Sequence, residues 1–446
     1  MTSRVTRAAM AAASLIALHP AGAAQNRPAD WKAWLAGEAA GFSGVALIGR
    51  DDAIDAEMAF GLADPSGGRR NTAATRFNLG SINKTFTAIG IARLIERGGL
   101  RLDDKLITYL PDYPNTNAAS RISIRQLLTH RSGIPQFMRA DFGDLSVAAM
   151  TKIVGDEPLA FEPGTRQLYS NGGYIVLGRV IEVVSGKGYS DYVNDHLYRP
   201  AGMVASGFYR NGDRMDNLAL PVAFAEGGRG AASAMGSSSA GPRRGNPAGG
   251  GYSTAADLFR FASALRSGRL LNPTMTRYVL DGTFAEDPKW GFALREQQAG
   301  RHRFLGNGGG APGVNAEFRF EPAGAYTVVV LSNSSPPSAT KLLTAIVERI
   351  AGVEPTASPS APSDPSPASQ TPSDQFRFTR RSRSAKRGFL RSGSYSSAVF
   401  REESDSNALP LPVRVLAERD DRRVDRDGSL DHVTSTCSGA HYGRHF

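Results

Sequence analysis

The sequence predicts a mixed α/β fold of the α+β kind: an antiparallel sheet formed from both chain ends, flanked by helices, with a mainly helical second lobe. Three observations predict it. Two short stretches of strand character, Phe42–Arg50 and Ala56–Leu62, meet at a turn over Asp51 and Asp52 near the start. Three more, Arg303–Gly310, Val314–Phe320 and Tyr326–Ser332, follow one another near the end of the body. Between these groups the apolar residues recur mainly at helical spacing, so the strands from the two ends must find each other across a helical insertion.

Composition sets the outer bounds. Of 446 residues, 41% are hydrophobic and 21% charged, the balance of a soluble globular protein with room for a large core. No apolar run reaches the ~18 to 20 residues of a membrane span, so no stable membrane insertion is expected of the mature chain. Residues 1–24 read as an export signal. Arg4 and Arg7 give a positive start, Ala8–Leu18 a short apolar segment, and Ala21-Gly22-Ala23 or Gly22-Ala23-Ala24 a small-residue cleavage site. A periplasmic or secreted protein is therefore expected. No cysteine follows the apolar segment, which argues against a lipid anchor. Cys437 has no second cysteine to pair with, so packing rather than disulfides must hold the fold.

The formal charge is +10, but from Gln375 onward there are 14 Lys plus Arg against 9 Asp plus Glu, a net +5 in a tail. The rest is weakly basic and lacks aromatic–basic interleaving, so no nucleic-acid partner is expected. Residues 353–446 begin with a Pro and Ser linker over Thr356–Pro372 and continue without periodicity, the composition of a disordered tail. A partner-binding segment and a shifted reading frame both fit it. Residues 25–352 are left as the folded domain.

Within that domain, Trp31–Glu38 has the pattern of a short amphipathic helix. The stretch Phe77–Arg97 continues as a long apolar helix that Gly98-Gly99 ends. Leu100–Lys105 fits an extended piece followed by a helical turn. The adjacent Asp103 and Asp104 diverge on any regular element and read as a solvated helix start rather than a paired acid and base. Ile122–Thr129 fits a helix, and His130–Pro135 a loop in which a lone His130 reads as structural. Phe161–Thr165 is a turn, and Tyr174–Val184 a helix stopped at Gly186. Glu226–Gly251 is a long Gly, Ala and Ser loop, a functional lid or a disordered segment. Ser253 or Thr254 then caps a helix through Leu265, and Thr340–Ile350 forms a closing helix.

The Phe77–Arg97 stretch is where chemistry concentrates. Ser81 and Lys84 stand three residues apart, a spacing that puts both on one helix face. A serine hydroxyl needs a neighbouring base to attack, and a lysine serves only where burial favours its neutral form. The apolar run behind Lys84 supplies such burial, and a helix start aims N–H groups at a developing oxyanion. By itself the pair also fits a capping serine and a solvated first-turn lysine. Tyr169 and Asn171, two apart, point the same way in an extended loop, or are a buried tyrosine and a turn-forming asparagine.

Taken together, S-I-N-K at Ser81–Lys84, Y-S-N at Tyr169–Asn171 and G-N-G-G-G at Gly306–Gly310 resemble the beta-lactamase-like and penicillin-binding superfamily of serine hydrolases. The branch they resemble is that of class C beta-lactamases, DD-peptidases and family VIII esterases. The phrases QLLTHRSGI, FEPGT and GGYSTAADLFRF look like that branch too, and the resemblance spans about Phe42–Ile350. It implies a transpeptidase-like fold and an acyl-enzyme mechanism. Ser81 would be the nucleophile, Lys84 its proton acceptor, and Tyr169 the relay to the leaving group. Asn171 would hold the lysine or bond substrate, and the N–H groups of Ser81 and Gly310 would form the oxyanion hole beside Gly308 and Gly309.

One position departs from the family pattern. Its third motif, whose residues Asn307, Gly308, Gly309 and Gly310 the resemblance assigns to substrate binding, usually begins with Lys or His, and Asn307 stands there instead. A neutral amide cannot draw in a substrate carboxylate, and Arg303, four residues back, is about 13 Å away along a strand. The expectation is therefore a carboxylesterase on small or medium acyl esters, with substrates drawn from small-molecule esters, amides or peptides. The alternatives are a D-amino-acid peptidase, DD-carboxypeptidase or beta-lactamase, and a catalytically weak penicillin-binding or sensor protein. No metal cluster, phosphate loop or dinucleotide fingerprint is present in the sequence, and no cofactor is expected.

Overall fold

The computed structural model describes residues 30–136, 145–209, 215–221, 245–281 and 291–352. The expected signal (1–24), the tail (353–446) and most of the Gly-rich loop lie outside the described residues.

The centre is a six-stranded antiparallel sheet in the order β2-β1-β10-β9-β8-β7. Its strands are β1 (Gly44–Arg50), β2 (Ala53–Phe60), β7 (Arg295–Ala299), β8 (His302–Ala311), β9 (Val314–Phe320) and β10 (Tyr326–Ser332). The two chain ends meet at β1 and β10, whose register runs from Gly44 opposite Ser332 to Arg50 opposite Tyr326. Two short ribbons, β3 (Leu62–Asp64) with β4 (Arg69–Arg70) and β5 (Phe77–Asn78) with β6 (Tyr252–Ser253), lie outside this sheet.

The helices are α1 (Trp31–Glu38), α2 (Asn83–Glu96), α3 (Thr116–Arg121), α4 (Ile124–Leu128), α5 (Val147–Asp156), α6 (Asn171–Ser185), α7 (Tyr189–Val193), α8 (Arg199–Ala201), α9 (Ala255–Arg266), α10 (Pro273–Leu280) and α11 (Ser338–Ala351). One face of the sheet carries α1 and α11 over a core of Ala46, Ile48, Phe304, Val328 and Val330. The other face, through Leu47, Leu305, Phe318 and Val329, shares a larger core with α2, α6 and α9. Because strand residues alternate faces, β8 sends Leu305, Asn307 and Gly309 toward α2.

Local chemistry explains the boundaries. Asp30 caps α1 by accepting from the N–H groups of Lys32 and Ala33. Ser123 and Gln126 form a capping box, so α4 starts at Ile124 rather than at Ile122. Thr254, not Ser253, caps α9. Gly186 ends α6 in a left-handed conformation, φ 69°.

The strand expectations need correction as well. The second strand starts at Ala53, three residues earlier, because Asp51 takes a left-handed turn (φ 54°) and the register shifts between Ile48 and Gly49. Strand β7 was not expected at all. Its sequence, REQQA, has no β-branched or aromatic residue, and pairing with β8 from Arg295–Gly306 to Ala299–His302 makes it a strand.

Candidate active site

The site begins at the turn before α2. Gly80, Ser81 and Ile82 form a 3-10 turn that runs straight into the helix. Gly80 has φ 49°, and a Cβ there would lie 3.1 Å from the carbonyl carbon of Gly309 and the nitrogen of Gly310. Both features require glycine. Its N–H donates to Asn78 Oδ1 at 2.8 Å. The helix is buried from Asn83 through Ala92, and Phe86 sits edge-on to Tyr198 and Phe261. The Ser81 turn is thus seated on a helix wedged into the main core.

Lys84 is 1% exposed, and its ammonium nitrogen has three neighbours. Ser81 Oγ lies at 3.2 Å, Asn171 Oδ1 at 2.7 Å and the Ala248 carbonyl at 2.5 Å. Two of these oxygens only accept, so each takes an N–H; the third belongs to a hydroxyl that donates or accepts. The same heavy-atom positions therefore serve an ammonium donating to Ser81 and an amine accepting from it. Burial pushes the Lys84 pKa well below the ordinary lysine value, toward the amine.

Tyr169 completes the cluster, with its hydroxyl donating to Ser81 Oγ at 2.6 Å. Burial raises its pKa to about 12, against the opposing pull of the Ser81 bond and the Arg295 charge. Burial therefore keeps the phenol protonated through neutral pH. Lys84 Nζ also lies 4.7 Å from the Tyr169 ring centre and 5.7 Å from that of Tyr174.

Two segments hold these groups. The Gly245–Gly251 loop is tied to α2 where the Thr87 hydroxyl donates to Pro247 O at 2.7 Å and the Gly251 N–H donates to Asn83 Oδ1 at 3.2 Å. Ser170 caps α6 by accepting from the Gly173 N–H, which places Asn171 at the first helical position, facing Lys84.

Strand β8 closes the other side. A Cβ on Gly309 would fall 2.1 Å from Leu79 O and 2.7 Å from Ser81 N, so the strand backbone lies directly against the Ser81 turn. Gly308 is backed by Glu317, 2.7 Å from the position of its missing Cβ. Asn307 stands elsewhere than the sequence suggested. It is 4% exposed, and its amide nitrogen donates to Ser81 O at 3.3 Å and Thr85 Oγ1 at 3.4 Å. Its Oδ1 accepts from the Gly308 N–H at 2.9 Å. The side chain thus fastens β8 to α2 behind the serine rather than facing a substrate. Arg303 is engaged with Glu296 at 2.8 Å and with the carbonyls of Leu280 and Asp281. Asp103 and Asp104 bond Arg125 and Arg101, away from this cluster.

The arrangement can deprotonate a serine with a buried amine and offer a phenolic proton to the same oxygen. A profile of the beta-lactamase family matches residues 26–352, nearly three quarters of the chain. The chain belongs to the beta-lactamase family. Within that family it is similar to the putative penicillin-binding protein PbpX of Bacillus subtilis strain 168, 30% identical over 295 residues, 66% of this chain and 71% of the relative. It is similar also to esterase EstB of Burkholderia gladioli, 29% identical over 290 residues, 56% of this chain and 73% of the esterase. The crystal structure of a penicillin-binding protein from Bacillus halodurans superposes with a TM-score of 0.59 at 30% identity, covering 69% of this chain and 96% of the other. This beta-lactamase-family chain is accordingly a serine hydrolase.

Sequence reasoning missed two contributors. The Ala248 carbonyl lies in a Gly-rich loop where no side chain marks it. His130, read as a lone structural histidine, packs on Tyr169 with ring centres 4.6 Å apart. The QLLTHRSGI phrase was its only signal. Among the described residues, no cluster of three or more His, Cys, Asp or Glu could hold a metal, and no helix is long and apolar enough to cross a membrane.

Proposed function

We propose that this serine hydrolase works through an acyl-enzyme on Ser81 and is a carboxylesterase on small or medium acyl esters. The observation that carries the reading is that Lys84 Nζ and the Tyr169 hydroxyl both reach Ser81 Oγ, at 3.2 and 2.6 Å. In the first half-reaction the Ser81 proton passes to Lys84 as Oγ bonds the ester carbonyl carbon. The oxyanion accepts from the N–H groups of Ser81 and Gly310, each donor contributing about 3 to 4 kcal/mol in acyl transfer. The ester C–O bond then breaks, and the leaving alkoxide takes the Tyr169 proton, which Lys84 replaces. In the second, water gives a proton to the same pair and attacks the acyl carbon, and Ser81 departs reprotonated.

Preference for a neutral ester rests on Asn307. An uncharged amide spent on Ser81 O and Thr85 supplies no cation for a substrate carboxylate. Similarity to an esterase supports this reading, and similarity to a penicillin-binding protein favours one second reading, a peptidase or amidase on D-amino-acid peptides. Export through residues 1–24 belongs to the same proposal, and N-terminal sequencing of secreted protein tests it.

The deciding experiment is turnover of p-nitrophenyl esters of graded acyl length by the full chain, beside a chromogenic cephalosporin and a Ser81→Ala control. Ester hydrolysis that disappears in the control is expected. Ester turnover surviving in Ser81→Ala, or a cephalosporin consumed faster than any ester, would overturn the reading.

A further inference from the structure

We propose that His130 is a positioning residue that fixes the Tyr169 phenol on Ser81, an inference that rests on the roles given above to Ser81 and Tyr169. His130 holds the tripeptide around Tyr169 at three points. Its backbone carbonyl accepts from the Leu168 N–H at 2.9 Å. Its ring Nδ1 accepts from the Ser170 N–H at 3.1 Å. Between these two bonds, its ring lies 4.6 Å from that of Tyr169 at a 36° tilt. The residues before and after the phenol and the phenol's own ring are all referenced to one residue, two of the three contacts through its side chain.

His130 is itself immobilised. It is 1% exposed, and its ring also lies 5.1 Å from Tyr174, whose hydroxyl donates to Leu128 O at 2.9 Å. Its backbone takes φ 59°, a left-handed conformation in which histidine and asparagine are among the more tolerant residues. Bonding through Nδ1 to an N–H leaves that nitrogen bare, so the ring is neutral with its proton on Nε2. Burial, with the Lys84 charge, depresses its pKa to about 3, which keeps the ring neutral through the working range and removes it as a proton carrier. What remains for it is geometry, and a displacement of about 1 Å at a reacting group costs on the order of 100-fold in rate.

Two variants separate the ring from the acceptor. In His130→Asn, Oδ1 takes the place of Nδ1 and suits the left-handed backbone, while the stacking ring is lost. In His130→Phe the ring stays and the acceptor goes. Each is made in wild type and in Tyr169→Phe, in the full chain. The measurement is the rate at which a fluorophosphonate labels Ser81, forming the Oγ–P bond as P–F breaks and fluoride leaves, with thermal melting as the check on folding.

Each substitution is expected to slow labelling about 10- to 100-fold in wild type and less than about 3-fold once the phenol is absent. The same factor in both backgrounds, or no loss in wild type, overturns the proposal. So does failure of both variants to fold, which would make His130 a residue of stability alone. Ester specificity does not enter this readout: if Ser81 labels and the cycle couples while no ester is turned over, the substrate reading fails and the His130 assignment stands.

Discussion

Replacing Asn171 by aspartate changes one atom type at the point that decides the charge of Lys84. Asn171 Oδ1 lies 2.7 Å from Lys84 Nζ, and the two residues are 9% and 1% exposed. The variant keeps shape and volume and turns an amide oxygen into a carboxylate. At an effective dielectric constant of about 20, unit charges ~2.7 Å apart attract by about 6 kcal/mol. Dehydrating the new carboxylate takes back a large part, and an opposite charge at this range moves a neighbour's pKa by about 1 to 3 in net. That is about 1.4 to 4 kcal/mol favouring the ammonium.

The sign follows from the role of Lys84. Burial lowers its pKa and so supplies the amine. The carboxylate raises it again, so the acid limb of kcat/KM moves to higher pH. Below both limbs the rate falls about tenfold for every pH unit by which the limb has moved, and above the displaced limb it returns. The assay is kcat/KM for a p-nitrophenyl ester across about pH 5 to 10, with spontaneous hydrolysis subtracted. Asn171→Ala is the control, since it removes the acceptor without adding charge and should not move the limb upward. A uniform loss at every pH in Asn171→Asp, or an unmoved limb, would refute Lys84 as the base.

Tyr169→Phe should lower kcat by about 10²- to 10⁴-fold, the usual worth of a positioned proton donor. Because burial holds the wild-type phenol up to about 12, the wild-type pH profile should show no falling alkaline limb short of that range; a rising limb that Tyr169→Phe abolishes would instead make tyrosinate the base. Gly309→Ala should cost about 1 to 3 kcal/mol by overpacking, read as a lower Tm, with a loss of kcat. Its Cβ would meet two backbone atoms, Leu79 O at 2.1 Å and Ser81 N at 2.7 Å. Gly310→Ala meets the Pro336 ring at 2.9 Å and no backbone atom nearer than Val314 O at 4.0 Å, and should be milder in Tm. Equal tolerance of the two would contradict the close approach of β8 to the serine.

Much of the fold could be read from short-range chemistry. The central strands β1, β8, β9 and β10 carry their burial in their composition, and two helices announce their ends through Thr254 and Gly186, whereas the Ser123 cap shows only once its hydrogen bond to Gln126 is formed. Strand β7 could not be read, because its secondary structure comes from a partner strand rather than from REQQA itself. The same division holds in the site. Ser81, Lys84, Tyr169 and Asn171 stand in motifs whose family resemblance implies one cluster, and the structure gathers them within hydrogen-bond reach. The direction in which Asn307 spends its amide was not legible, since it depends on which face of β8 meets α2. Nor was the role of His130, which needs Tyr169 and a left-handed backbone beside it to have any meaning.

The meeting of β1 and β10 has a bearing on how the protein is made. The Ser332 hydroxyl donates to Ser43 O across 289 residues of chain, and β10 is the strand that joins the β1–β2 hairpin to β9, β8 and β7. During synthesis the hairpin and α2 emerge long before the strand that must lie between the two halves of the sheet. The early apolar edge of β1 has no native neighbour on that side until then. Closing so long a loop places the domain among slow, high-contact-order folders, with assembly of the sheet coming after translation of most of its length. A chain released early would carry Ser81 and Lys84 but not the Gly309 backbone that lies against the Ser81 turn.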